Sequence, residues 1–283
     1  MAGLDTLGSV GRPLPLLAAF ALASPAPAQS DVIGWGAEVV DSRLHRQHFT
    51  EVAAGVWNTA ALRPDGTLVA WGANGAGQCA VPPLPPGVTY VHVASGGNAF
   101  APFGHSIALR SDGTAVAWGY NLSGQCNVPP LPAGLAYVQV EASLGFFDGG
   151  RSSAAVRSDG AILLWGSLPS GTGTVPPLPP GTTYLSVDLG AAHAAAVRSD
   201  GQVVVWGDNT FGQQSVPPLP PGTSYVRVAC GDQHVLGLRN DGALLAWGAT
   251  QPASATSRCC RPASCSSDSR RAATIPSRRA ATG

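Results

Sequence analysis

The chain has 283 residues, 45% hydrophobic and 11% charged, with 36 Gly and 25 Pro. That apolar fraction excludes a disordered chain, the Gly and Pro content excludes long helices, and no apolar run reaches the length of a membrane span. Formal net charge is zero, yet between Gln29 and Gly248 nine Arg and no Lys face fourteen Asp and Glu, which leaves no electrostatic footprint for a nucleic-acid partner.

Residues 1–28 read as an export signal. Arg12 precedes the apolar stretch Pro13 to Ala23, and Ala26-Pro27-Ala28 has the small-x-small form that a signal peptidase accepts. The other reading of this segment is a disordered apolar amino terminus. Export would make the mature chain secreted, periplasmic or part of the cell envelope, where disulfides are permitted. Cys79 and Cys126, however, hold the same position in successive repeats, too far apart to bridge, and Cys230 has another setting. Three free, partly buried thiols are therefore expected. No C-x-x-C spacing calls for a metal, and no cofactor motif occurs.

A lone Trp35-Gly36 comes next, and from there repetition dominates. Asp-Gly followed by Trp-Gly recurs at Asp65/Trp71, Asp112/Trp118, Asp159/Trp165, Asp200/Trp206 and Asp241/Trp247, with the turn glycines Gly66, Gly113, Gly160, Gly201 and Gly242. Successive Trp residues lie 47, 47, 41 and 41 apart. Val-Pro-Pro-Leu-Pro follows four of them, beginning at Val81, Val128, Val175 and Val216, and leads to Tyr90, Tyr137, Tyr184 and Tyr225. Ser106 to Arg110 reads as a strand, Ser111-Asp112-Gly113-Thr114 as a type I′ hairpin turn, and Ala115 to Trp118 as the return strand. Tyr90-Val91-His92-Val93 reads as a half-buried alternating strand. The proline segments cannot sit inside a sheet and must connect units. A small sheet repeated every 41 residues or so buries its faces by radial stacking, which is a propeller.

Assembled, the units give V-A-x-G-x-x-H-x-x-A-L-R-x-D-G-x-x-x-A-W-G-x-N-x-x-G-Q, which resembles the regulator of chromosome condensation repeat. The resemblance covers about residues 30 to 248. It implies an all-β fold, a β-propeller of the seven-bladed repeat type closed by strands from both chain ends. Only five in-frame hairpins and the strand Val32-Ile33-Gly34-Trp35 occur, so an incomplete propeller over 29–248 is expected. The family includes exchange factors for a small nuclear GTPase and a secreted β-lactamase-inhibiting propeller.

The repeat stops after Gly248, and residues 249–283 turn to Arg, Ser, Ala and Cys. Shifting the frame by one base, with free synonymous choice, lets residues 251 to 257 encode A-G-Q-C-D-V. The residues after them can continue as P-V-L-P-P-G-L and, from Arg270, as A-A-G, H-S-L-A and R-S-D-G. The tail thus reads as the next repeat out of frame, against the alternative of a natural basic tail. On either reading it is not expected to fold, and Cys259, Cys260 and Cys265 have no metal role.

The repeated tryptophans (Trp35, Trp71, Trp118, Trp165, Trp206, Trp247) are expected to fill seams between sheets. His105, His193 and His234 stand seven residues before their Asp, where other units have Asn58 and Ser152, so hydrogen bonding within each sheet is expected. One irregularity points to function. The separation from Val93 to His105 and from Val140 to Ser152 is 12, against 6 at Val187/His193 and Val228/His234. The longer loops carry Phe100 and Phe103 in one unit and Phe146, Phe147 and Asp148 in the next. These residues either tuck back onto their sheets or form a protein-binding hot spot on one face. The expected function is a non-enzymatic exported scaffold for a protein partner. The alternatives are a guanine-nucleotide exchange factor by family resemblance, a hydrolase or lyase on a propeller face, and a non-functional gene product.

Overall fold

A computed structural model of the protein describes residues 47–98, 103–145, 151–169 and 171–249. The readings placed on 1–28, on Trp35, Phe100, Phe146, Phe147 and Asp148, and on the tail beyond Ala249 lie outside these residues. All regular structure among the described residues is β, with no helix long and apolar enough to cross a membrane. The first sheet is β1 (Glu51–Ala54), β2 (Asn58–Leu62) and β3 (Leu68–Gly72); the second is β4 (Tyr90–Asn98), β5 (Gly104–Arg110) and β6 (Ala115–Gly119). The third contains β7 (Tyr137–Ala142), β9 (Ser152–Arg157) and β10 (Ile162–Gly166), while the two-residue β8 (Leu144–Gly145) joins the edge of the second. The fourth holds β11 (Tyr184–Leu189), β12 (His193–Arg198) and β13 (Val203–Gly207); the fifth holds β14 (Tyr225–Cys230), β15 (His234–Arg239) and β16 (Leu244–Gly248).

Each sheet is one unit in chain order: Tyr strand (β1, preceded by Phe49, in the first sheet), His-position strand, Trp-Gly strand, all antiparallel (β8 alone pairs in parallel). The proline segments connect one sheet to the next, as their missing N–H groups require. Successive Tyr strands pack against one another, and the Trp-Gly strands make no comparable contact, so the sheets fan out from a common inner edge. This is the arrangement of propeller blades.

Four seams separate the five sheets, and each holds one apolar cluster. In the seam before the fifth sheet, Ala195, Val197, Val203 and Val205 meet Tyr225, Val228, Val235 and Trp247, with Val216 and Leu219 of the connector packed alongside. Trp118, Trp165, Trp206 and Trp247 are buried here, and each Nε1 donates to a connector carbonyl, at Gln78 (3.0 Å), Gln125 (2.9 Å), Thr172 (2.8 Å) and Gln213 (2.6 Å). The Tyr hydroxyls hold the connectors from the other side, donating to Pro82, Pro129, Pro176 and Pro217 at 2.7, 2.6, 2.8 and 3.0 Å.

Two local expectations are corrected. The Asp-Gly turns are three-residue loops rather than two-residue type I′ turns. Arg63 and Thr67 close the pair, Gly66 N donates back to Arg63 O at 2.9 Å, and Gly66 alone takes a positive φ of 77°. In the first unit Pro64, with no N–H, could not complete the hydrogen-bonded pair with Thr67 that closes a two-residue turn. Gly113, Gly160, Gly201 and Gly242 repeat the geometry at φ 79°, 79°, 77° and 83°. The Tyr strands, in turn, do not simply alternate. A register shift between Tyr90 and His92, repeated at Tyr137/Gln139, Tyr184/Ser186 and Tyr225/Arg227, turns Tyr and the Val three residues later inward together. The residue at the bulge (Val91, Val138, Leu185 or Val226) is pushed outward and exposed.

Candidate functional site

The two long loops meet. β4 runs on to Asn98 and pairs in parallel with β8 through Gly97–Leu144 and Asn98–Gly145, and Gly97 N donates to Ser143 O at 3.1 Å. The approach needs glycine, since a Cβ on Gly96 would stand 2.3 Å from Ser143 O. From the first sheet, Trp57 Nε1 donates to Asn98 O at 2.9 Å, so three consecutive sheets build one platform. Phe103 stacks on Tyr120 with ring centroids 5.1 Å apart and an interplanar angle of 12°, and remains 42% exposed. One of its faces is therefore covered by its own sheet and the rest is open to solvent. Of the five nominated platform residues, Phe103 is the one among the described residues.

The residues at the His position bond mainly across seams, not within each sheet as expected. Asn58 Nδ2 donates to Ser106 Oγ of the next sheet at 3.2 Å, and His105 Nε2 lies 2.9 Å from Ser153 Oγ of the next. Ser152 bonds locally, to Ser143 Oγ at 3.0 Å. His193 is wholly buried and His234 half-buried at the start of β12 and β15. Burial pulls His105 down to about 4, which keeps its ring neutral. These residues are seam polar groups, and among the described residues no group of three or more His, Cys, Asp or Glu is placed to hold a metal ion. Cys79, Cys126 and Cys230 are free and half-buried; burial pushes Cys126 up to about 12.

A second surface was not foreseen from the sequence. It lies along the Tyr strands, where polar side chains at the second or fourth position after the aromatic residue reach the backbone of the following sheet. Val93 N donates to Glu51 Oε2 (3.3 Å), and His92 Nε2 bonds Val140 O (3.0 Å). Gln139 both donates to Val187 O (3.0 Å) and accepts from Val187 N (2.9 Å), and Cys230 N donates to Asp188 Oδ2 (2.7 Å). The polar x of Tyr-Val-x-Val was the signal. It was invisible as a set because Glu51, His92 and Gln139 differ in chemistry while doing one job.

His92 is held between Glu51 (Nδ1–Oε1 2.7 Å) and Glu141 (Nε2–Oε1 4.0 Å). Burial lowers its pKa, but the bond to Glu51 and the surrounding carboxylates raise it more, leaving it above its ordinary value. Burial, with Asp188 nearby, pushes Glu141 up to about 8. Burial also lifts Asp188, to about 6, against the amides of Cys230 and Leu189 and the charge of Arg227. Gln139, Glu141, Ser186, Asp188 and Arg227 line a cavity of about 230 Å³ beside the fourth sheet.

The description "Regulator of chromosome condensation (RCC1) repeat" matches residues 49–78, 103–125, 185–213 and 225–250. Among solved structures, the chain is similar to human WBSCR16 at 19% identity and a TM-score of 0.57, covering 71% of this chain and 62% of that one. It is similar to Prp20p of Saccharomyces cerevisiae at 23% identity and a TM-score of 0.54, covering 70% and 56%. It is also similar to the ectodomain of the Physcomitrella patens receptor kinase CR4 at 21% identity and a TM-score of 0.54, covering 73% and 53%. The chain thus spans less than two thirds of the length of each. No curated protein is matched at a significant level.

Proposed function

We propose, from the regulator of chromosome condensation repeats matched at four places in the chain, that it is a non-enzymatic, exported β-propeller scaffold binding a protein through the face of its two long loops. The observation that supports this reading is the paired platform. The loops are fixed to each other by the β4–β8 bridge and carry a stacked but half-open aromatic at Phe103. Rigidly held aromatic surface at a loop cluster is what a binding hot spot needs. In this reading Phe100, Phe146, Phe147 and Asp148 extend the same platform.

The test is a pull-down from the secreted and envelope fractions of the source cells. Replacing Phe100 and Phe146 together by Ala should abolish capture of the recovered partner while leaving the melting curve in place. Undiminished capture by the double variant rejects the platform. Export has its own measurement: mass spectrometry of the protein from the envelope should find Gln29 at the mature amino end.

A second reading has one observation in its favour. Prp20p, whose fold this chain shares, was described with its binding to Gsp1p and histones. A GTPase regulator would accelerate nucleotide release from a small GTPase. No acceleration, together with cleavage before Gln29, leaves the exported scaffold standing.

A further inference from the structure

Glu51, His92, Gln139 and Ser186 all stand two residues after the aromatic residue that opens their strand. The first three reach the main chain of the following sheet. Glu51 Oε2 accepts from Val93 N at 3.3 Å, and His92 Nε2 bonds Val140 O at 3.0 Å. Gln139 takes both groups of Val187: its Oε1 accepts from N at 2.9 Å and its Nε2 donates to O at 3.0 Å. The same Nε2 also donates to Glu141 Oε1 at 2.9 Å. In the fourth seam the side chain is that of Ser186, which stops well short of where a glutamine amide would stand. Its Oγ is shut off from solvent and bonds no other group. Asp188, the counterpart of Glu141, accepts from Leu189 N at 2.8 Å and from Cys230 N at 2.7 Å rather than meeting Val228. The cavity of about 230 Å³ lies at this step, with Ser186, Val228, Asp188, Glu141 and Arg227 in its wall.

We propose that this cavity binds a small molecule through a primary carboxamide, which takes the place that the Gln139 amide fills one seam earlier. A carboxamide carries an oxygen acceptor and two N–H donors on one planar group. Its oxygen accepts from Val228 N, one N–H donates to Val228 O and the other to the Asp188 carboxylate, matching the bonds of Gln139 to Val187 and Glu141. The two valines hold the same place in their sheets, Val187 opposite Ala196 and Val228 opposite Gly237, each three residues after its Tyr. Close analogues fit less well. A carboxylate of the same shape only accepts, and would set lone pairs against Val228 O and Asp188; an ammonium only donates and leaves Val228 N unmet. The site lies along the inner strands β7, β11 and β14, so it stands or falls apart from the loop platform.

Thermal melts of the full chain with added propionamide, the free form of a glutamine side chain, test this. The melting temperature should rise saturably with propionamide, and propionate or propylamine at equal concentration should give no such rise. Ser186→Gln provides the amide from the chain itself, so this variant should melt above the wild type and no longer respond. Gln139→Ser opens the same step in the preceding seam; it should melt below the wild type and gain a larger rise with propionamide, and it carries the test if Ser186→Gln does not fold. L-Glutamine and the peptide Gly-Gln-Gly separate two sources of such an amide: the free amino acid should reproduce the rise and the peptide should not. A wild type without a saturable response to propionamide, as it would be if water alone filled the cavity, overturns the proposal. So does an undiminished response in Ser186→Gln, no gain in Gln139→Ser, or an equal response to propionate or propylamine. A response to the peptide but not to glutamine also overturns it, by placing the amide on a partner protein.

Discussion

Space rather than backbone conformation sets the glycine of each Gly-x-x-His step. A Cβ on Gly190 would stand 2.4 Å from His193 Cε1, and one on Gly231 would stand 2.2 Å from His234 Cε1. Gly190→Ala must push a wholly buried imidazole aside, and a loss of about 1–3 kcal/mol is expected in chemical denaturation. Gly231→Ala should cost less, because His234 is half-buried and can move. Tyr137→Phe removes the hydroxyl that donates to Pro129 and should cost about 1 kcal/mol, seen as a lower melting temperature. The protonation sites give a pH dependence of definite sign. Glu141 and Asp188 have pKa values raised by folding, to about 8 and about 6, so the folded state binds more protons than the unfolded one between the ordinary carboxylate range and those values. Stability is present at the acid end of that window and is lost as pH rises through it. His92, also raised, adds stability below its ordinary pKa that is lost as pH rises through its folded value, the same direction. Buried His105 and His193, both lowered, act in the opposite direction below the ordinary imidazole range. Melting temperature should therefore fall between pH 7 and pH 8, above that range, and Glu141→Gln should flatten the decline; equal slopes in the two proteins would falsify the assignment.

At the scale of the element, the tryptophans divide by position. Trp165 fills a closed seam and bonds Gln125 O, so Trp165→Ala should cost about 3–5 kcal/mol. Trp71 is only half-buried, against Phe49 with ring centroids 6.4 Å apart, and its removal should cost markedly less by the same denaturation measurement. The sheets, their order and the connectors were legible in the sequence, because proline, Asp-Gly and the regular Trp each act through their own backbone or bulk. What was not legible depends on two strands at once. The bulge after each Tyr looks like ordinary alternation in a single strand. The His-position contacts reach residues 48 further on, in the next sheet, where Ser106 and Ser153 gave no local sign of being partners. The long loops were readable as a pair from their equal lengths; the bridge between them needed coordinates.

Over the whole molecule, stability is a sum over seams between neighbours rather than one central core. Among the described residues, the second, third and fourth sheets are covered on both faces, and the first and fifth on one. Native-state hydrogen exchange should rank the amides accordingly, slowest in β5, β9 and β12 and faster in β2 and β15. Uniform protection across all five sheets would show that the array opens only as a unit. The bonds along the inner edge carry a historical consequence. Glu51, His92, Gln139 and Asp188 all address main-chain amides or carbonyls of the following sheet, groups that every unit possesses whatever its side chains. A gene segment copied in tandem would thus arrive with its reception prepared, needing no matching substitution in its neighbour, and the number of units is free to drift while the individual joint stays the same.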